Sequence, residues 1–102
     1  MAKIINSIEF NDTIKEGVVV VDFFATWCGP CKMLAPVFEE LSGEMENVNF
    51  FKVDVDQALD IAREYAITTV PTMIIFKNGE VADKMIGFLP KEHIKAKIEA
   101  QL

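Results

Sequence analysis

The chain has 102 residues, a size that suits one domain spanning 1–102 around a single core, and 51% of them are hydrophobic against 25% charged, with no Ser-, Gly- or Pro-rich tract of a disordered segment. A formal net charge of −6 without clustered Lys/Arg excludes nucleic acid or anionic lipid as the main partner. No apolar run approaches the roughly 20 residues that span a bilayer, "MAKIINSIEF" lacks the apolar core of a secretory signal, and two cysteines are too few for a secreted disulfide scaffold, so the expected location is cytoplasmic.

In chain order, "KII" reads as a short strand. "SIEFNDTIKEG" follows as a helix, with Ser7 as its N-cap and Gly17 placed to end it. "VVVVDFF", Val18 to Phe24, is a nearly continuous β-branched and aromatic run, the pattern of a central strand buried on both faces. A long amphipathic helix comes next, in which Leu34, Val37, Phe38, Leu41 and Met45 share one face and Pro36 predicts a kink rather than an end. "VNFFKVDV" is the following strand. "QALDIAREY" is a helix that Asp56 caps, with Leu59, Ala62 and Tyr65/Ala66 turned inward. "TMIIFK" and "EVADKMI" flank Asn78-Gly79, a strong hairpin signal. Pro90 opens the last helix, whose stripe is Ile94, Ile98 and Leu102. The order β-α-β-α-β-α-β-β-α describes an α/β fold. Its mixed five-stranded sheet has helices on both faces and ends in an antiparallel hairpin.

Both cysteines lie in "ATWCGPCKM", residues 25–33, directly after the only tryptophan. A zinc site wants about four ligands; the one other candidate, His93, is in the terminal helix and reads as a solvated residue. If Cys28 is the N-cap of the long helix, Cys31 falls on the same face of the first turn, at a spacing a disulfide bridges. So short a loop constrains the unfolded chain little, which makes the pair a poor staple and leaves chemistry as the better account. Two inert thiols are the alternative. At the positive end of the helix dipole, with the Cys31 amide pointing at its sulfur and Lys32 close by, Cys28 favours the nucleophilic thiolate. Cys31 faces the core and is expected to be less exposed and to act second. Pro30 stiffens the turn, and Gly29 is expected to let other backbone approach closely.

Asp22 is a carboxylate inside an apolar strand, on the face of Val18, Val20 and Phe24. Burial without a partner raises its pKa; the other reading is a strand-end Asp in solvent. Lys52 alternates with apolar residues in "FFKVDV". Asp54 and Asp56 read as strand end and cap, and Asp56 is also a candidate acceptor for the Trp27 indole N–H.

Taken together, "VVDFFATWCGPCKMLAPVFEEL", "FFKVDVDQ", "YAITTVPT", "IIFKNGEV" and "IGFLPKE" resemble the thioredoxin family in order and spacing over essentially the whole chain. Thioredoxin is itself the type case of the redox C-x-x-C motif, so motif and resemblance are one line of support. The resemblance implies the thioredoxin fold, reduction of disulfide-containing protein substrates by a monomer, re-reduction by a thioredoxin reductase, and no bound cofactor or metal beyond the Cys28–Cys31 couple. Gly-Pro between the cysteines implies a reducing poise. The resemblance also implies that Asp22 lies beneath Cys31 and takes its proton, that Lys52 pairs with Asp22, and that Pro71 is cis and faces the site. Val70 would then offer its backbone to an extended substrate. Trp27, Gly29, Pro30, Val70, Pro71 and Gly87 would form an apolar rim, with Gly87 at a close backbone approach or a bulge. Phe24 stands where many members carry a second tryptophan, and Phe88 where a smaller residue is common. Two other functions fit the same residues less well: a thioredoxin-fold oxidase or isomerase, and a binding subunit whose cysteines are dispensable.

Overall fold

The computed structural model describes residues 2–102. Its elements are β1 (Lys3–Ile4), α1 (Ser7–Ile14), β2 (Val18–Phe24), α2 (Gly29–Glu44), β3 (Asn49–Asp54), α3 (Leu59–Glu64), β4 (Thr72–Lys77), β5 (Glu80–Ile86) and α4 (Lys91–Glu99). They build one five-stranded sheet in the order β1-β3-β2-β4-β5. β1, β3 and β2 run parallel, and β4 and β5 complete the sheet antiparallel. The order of elements along the chain and the mixed character of the sheet match the sequence pattern.

β2 is central, and its alternation divides the core. Val19, Val21 and Phe23 face α1 and α3, joining Phe10, Ile14, Ile61 and Phe76. Val20 faces the other way, with Phe50, Met73 and Ile75, under Leu34 and Phe38 of α2 and Ile94 and Ile98 of α4. Four aromatic rings interlock on the first side, with Phe10 within 6.3 Å of Phe23, 5.5 Å of Tyr65 and 5.8 Å of Phe76 between centroids. Full burial of such side chains contributes roughly 1.5–3 kcal/mol each.

Several local details differ from expectation. Asn6, not Ser7, caps α1: its side chain accepts the Glu9 N–H while the Glu9 carboxylate accepts the Asn6 N–H, each at 2.9 Å. Asn6 has a glutamate three residues on and Ser7 does not, so only Asn6 can close a reciprocal box. Asp56 does not cap α3, which starts at an N-cap, Ala58, without a side-chain bond. The preceding turn is held by Asp54, whose carbonyl accepts from Gln57 and Ala58 and whose carboxylate accepts from Asp56. That turn rotates the helix so that Ala58, Ile61 and Ala62 are buried and Leu59 is exposed. α4 ends at Glu99, so Leu102 lies past the helix, exposed, and is no part of the stripe. α2 continues through Pro36 without a break. Among the described residues no helix is long and apolar enough to cross a membrane.

The hairpin turn has positive φ at both central residues, 52° at Asn78 and 88° at Gly79, as a type I′ turn requires. It is tied to the start of β2 by two bonds, Gly17 N–H to Asn78 Oδ1 at 3.0 Å and Asn78 N–H to Gly17 O at 2.9 Å. Gly79→Ala should therefore cost about 1–2 kcal/mol through backbone strain. Gly43, exposed in the last turn of α2 with open space around it, should respond with the opposite sign, Gly43→Ala stabilising by up to about 1 kcal/mol. Urea unfolding at unchanged m-value measures both.

Candidate active site

β2 ends at Phe24, the chain turns through Ala25–Trp27, and Cys28 becomes the N-cap of α2 in an extended conformation, φ −87° and ψ 117°. Gly29 and Pro30 form the first turn, where Pro30 forfeits no helical hydrogen bond. The two cysteines form a disulfide with Cα atoms 5.2 Å apart, so this is the oxidised state. The Cys31 N–H donates to Cys28 Sγ at 3.1 Å. A sulfur at this place meets the unpaired first-turn amides and the positive end of the α2 dipole, both of which favour its anionic form once reduced.

The cysteines do not differ in exposure as expected; each is 4% accessible. Their surroundings separate them instead. Cys28 Sγ lies 3.6 Å from the Val70 carbonyl oxygen, on the rim side. Cys31 lines a hollow of about 210 Å³ bounded by Phe24, Ala25, Thr26, Lys32, Ala35 and Lys52.

The rim comes from three places in the chain. The Val70–Pro71 bond is cis, and the Pro71 carbonyl accepts the Gly87 N–H at 2.8 Å, which brings the β4 entry and the β5 exit together. Gly87 has φ 87°, and that conformation accounts for glycine there. A Cβ at Gly29 or Gly87 would meet no other atom within 4 Å, so close backbone approach explains neither residue, and nothing in the chain itself explains Gly29. Trp27 is 70% exposed, yet its Nε1–H donates to Asp56 Oδ2 at 2.9 Å, fixing the indole beside the thiols. Met33, two residues after Cys31, and Ile86, just before Gly87, are exposed apolar residues that the sequence did not single out. Alternation buries neither, and only their nearness in sequence to the motif residues marked them. Phe88 is partly exposed next to Gly87.

Asp22 is completely buried on the sheet face that α2 and α4 cover, and neither carboxylate oxygen has a hydrogen-bond partner. The solvent-facing alternative is thereby excluded. Burial pushes its carboxyl up to about 7, with the charge of Lys52 acting in the opposite direction. Lys52 stands directly across from it in the β2–β3 register. Its ammonium does not bond the carboxylate but lies 4.6 Å from the centroid of the Phe24 ring. Among the described residues no group of three or more His, Cys, Asp or Glu could hold a metal ion, and His93 is exposed on α4.

The sequence profile of the Thioredoxin family matches residues 1–100. A thioredoxin of Staphylococcus saprophyticus is 50% identical over 94 residues, 91% of this chain and 90% of its own length. One from Mycoplasmoides gallisepticum is 56% identical over 77 residues, 76% of this chain and 77% of its own. Among solved structures, Plasmodium falciparum thioredoxin superposes with a TM-score of 0.92 at 39% identity, covering 99% of this chain and all of that one.

The Asp22 environment makes stability depend on pH. Below about pH 4 the carboxyl is protonated in both folded and unfolded chains. As pH rises from about 4 to 7 the unfolded chain releases the proton while the folded one retains it, so stability falls, and it levels off above about 7. Three pKa units correspond to about 4 kcal/mol. Asp22→Asn in the oxidised protein should therefore gain several kcal/mol relative to wild type at pH 8 compared with pH 4. Urea unfolding of both proteins at the two pH values checks this; an equal difference at both would mean that the carboxyl titrates normally.

Proposed function

The chain belongs to the thioredoxin family and is a thiol–disulfide oxidoreductase whose redox group is its own Cys28–Cys31 pair, and from that premise we propose how its residues divide the reduction of protein disulfides. The Cys28 thiolate attacks one sulfur of a substrate disulfide; that S–S bond breaks, one substrate sulfur leaves as thiolate, and a mixed disulfide forms. Cys31 gives its proton to Asp22 and attacks Cys28 Sγ. The second substrate sulfur leaves, the substrate has gained two electrons, and the protein holds the Cys28–Cys31 disulfide. A thioredoxin reductase returns two electrons and the protons to restore the dithiol. We assign the protein to the cytoplasm as a monomer.

The observation that carries this division is the first turn of α2. There a backbone N–H reaches Cys28 Sγ and none is directed at Cys31, while an unpartnered carboxylate lies on the sheet face under the same helix. A carboxyl poised at about 7 is half ionised at neutral pH, which suits a base that must accept a proton and later release it. Lys52 moderates that poise. Substrate meets Trp27, Gly29, Pro30, Val70, Pro71 and Gly87, a rim whose open space over Gly29 and fixed indole suit an extended segment recognised by its backbone and apolar surface.

Insulin disulfide reduction with a cognate reductase tests the assignment. Cys28→Ser should abolish activity and form no mixed disulfide. Cys31→Ser should still attack and accumulate one. Asp22→Asn should slow the resolving step at pH 7 about a hundredfold, the low side of general-base contributions. It should also flatten the rise in that rate through pH 7. Activity retained by Cys28→Ser together with loss of the first attack in Cys31→Ser would reverse the roles.

A further inference from the structure

A half-buried lysine directly opposite an unpartnered buried carboxylate is expected to close an ion pair with it. Lys52 does not; its Nζ lies 4.6 Å from the centroid of the Phe24 ring, within cation–π range. Phe24 follows Asp22 by two residues on β2, so ring and carboxylate stand on one face of the strand, with Lys52 across from the carboxylate and diagonal to the ring. Phe24 also packs against the cluster formed by Ala25, Cys28 and Cys31. The same ring walls the hollow that Cys31 and Lys52 share. One aromatic side chain therefore touches the thiol cluster and holds the ammonium.

We propose that Phe24 is a positioning residue: its ring keeps the Lys52 ammonium in a half-buried place beside Asp22 and so fixes how strongly that charge acts on the carboxylate. This rests on Asp22 being the proton acceptor for Cys31. The physical balance is simple. An ammonium in a shallow hollow is drawn outward by hydration and side-chain entropy, and it stays inside only if something there offsets the lost water. The quadrupole of the ring supplies that offset without neutralising the cation, whereas direct bonding to Asp22 would pull its carboxyl back toward the ordinary range. Of the elements packed on that side of the sheet, β4 sets the uncharged Met73 across from Asp22 in register, and α4 adds the apolar Ile94 and Ile98 to the core there. β3 adds Asp54, whose carboxylate is occupied by the Asp56 N–H. The titratable groups of α2, the helix over that face, include Cys31, Lys32 at the exposed rim of the hollow, and Glu39, which is engaged by the Ala2 N–H, and of all these neighbouring charges the one that acts on Asp22 is Lys52. Lys52 is thus the charge nearest in register, and the ring acts through it.

The test is the titration of the Asp22 carboxyl, followed by carboxyl carbon NMR in the oxidised and reduced protein, together with the pH profile of the resolving step. Phe24→Leu, which keeps apolar bulk and removes the π face, should raise the Asp22 midpoint by about half a pH unit or more. Phe24→Trp, which keeps a cation-binding face, should leave it at the wild-type value or lower. In a Lys52→Met background, Phe24→Leu should produce no further shift, because the cation it positions is gone. An unchanged or lowered midpoint in Phe24→Leu, or an equal shift in both backgrounds, overturns the proposal. If the midpoint moves as stated while the resolving rate does not follow it, positioning stands and the role of Asp22 as base is what fails.

Discussion

The site depends on β2 being buried on both faces. A strand flanked by β3 and β4 and covered by two pairs of helices cannot slip by one residue without turning its whole side-chain set over. That rigidity fixes three positions together. Asp22 is held on the face that α2 and α4 cover, Lys52 is set across from it by the parallel register, and the strand ends at Phe24 so that Cys28, four residues later, caps α2. The thiols thus emerge at the carboxyl end of the parallel strands, where open α/β sheets leave their crevices.

Two electrostatic devices of unequal cost meet there. The helix N-terminus stabilises charge on Cys28 with groups that any helix leaves unpaired, so it takes nothing from the fold. Asp22 is the reverse case: an ionisable group kept from water and from hydrogen bonds, lowering stability wherever it is ionised. A carboxylate bonded to a lysine would be cheaper to bury and useless as a base near neutral pH; an isolated one would hold its proton too long. Lys52, close in register but turned onto Phe24, gives the intermediate condition. The proposed role in proton transfer would account for a carboxylate at a place where an apolar residue would be more stable.

How much was legible in sequence follows from which interactions are local. β2 and the Asn78-Gly79 hairpin were read to the residue, because continuous burial and a doubly positive φ leave few other sequences possible. The cysteines and Asp22 were found for a related reason: a polar or reactive group in the wrong surroundings is visible without a structure. Errors fell where the outcome depends on phase or distant partners. Leu59 was placed inside by spacing together with Ala62 and Tyr65/Ala66, but the turn held by Asp54 sets the helix rotation so that Ala58 and Ile61 join Ala62 in the core while Leu59 and Ala66 are exposed. Leu102 needed one more helical turn than α4 makes. The equal burial of the two cysteines and the Lys52–Phe24 contact are products of tertiary packing and leave no trace in spacing.

The misplaced cap of α3 shows the same competition from the side of function. Asp56 is a good N-cap residue in a good place, and leaving a helix start without such a side chain forgoes on the order of 1 kcal/mol. Its carboxylate instead accepts the Trp27 indole N–H across 29 residues of sequence, while its own N–H is taken by Asp54. α3 starts later and uncapped in consequence. What the chain gains is an exposed indole held in one orientation, so that a large apolar surface beside the thiols is already ordered when an extended segment arrives and little side-chain entropy is lost on contact. A local rule broken at the helix start is thus the mark of a non-local bond, which in the proposed mechanism serves substrate contact as the unpaired carboxylate on β2 serves proton transfer.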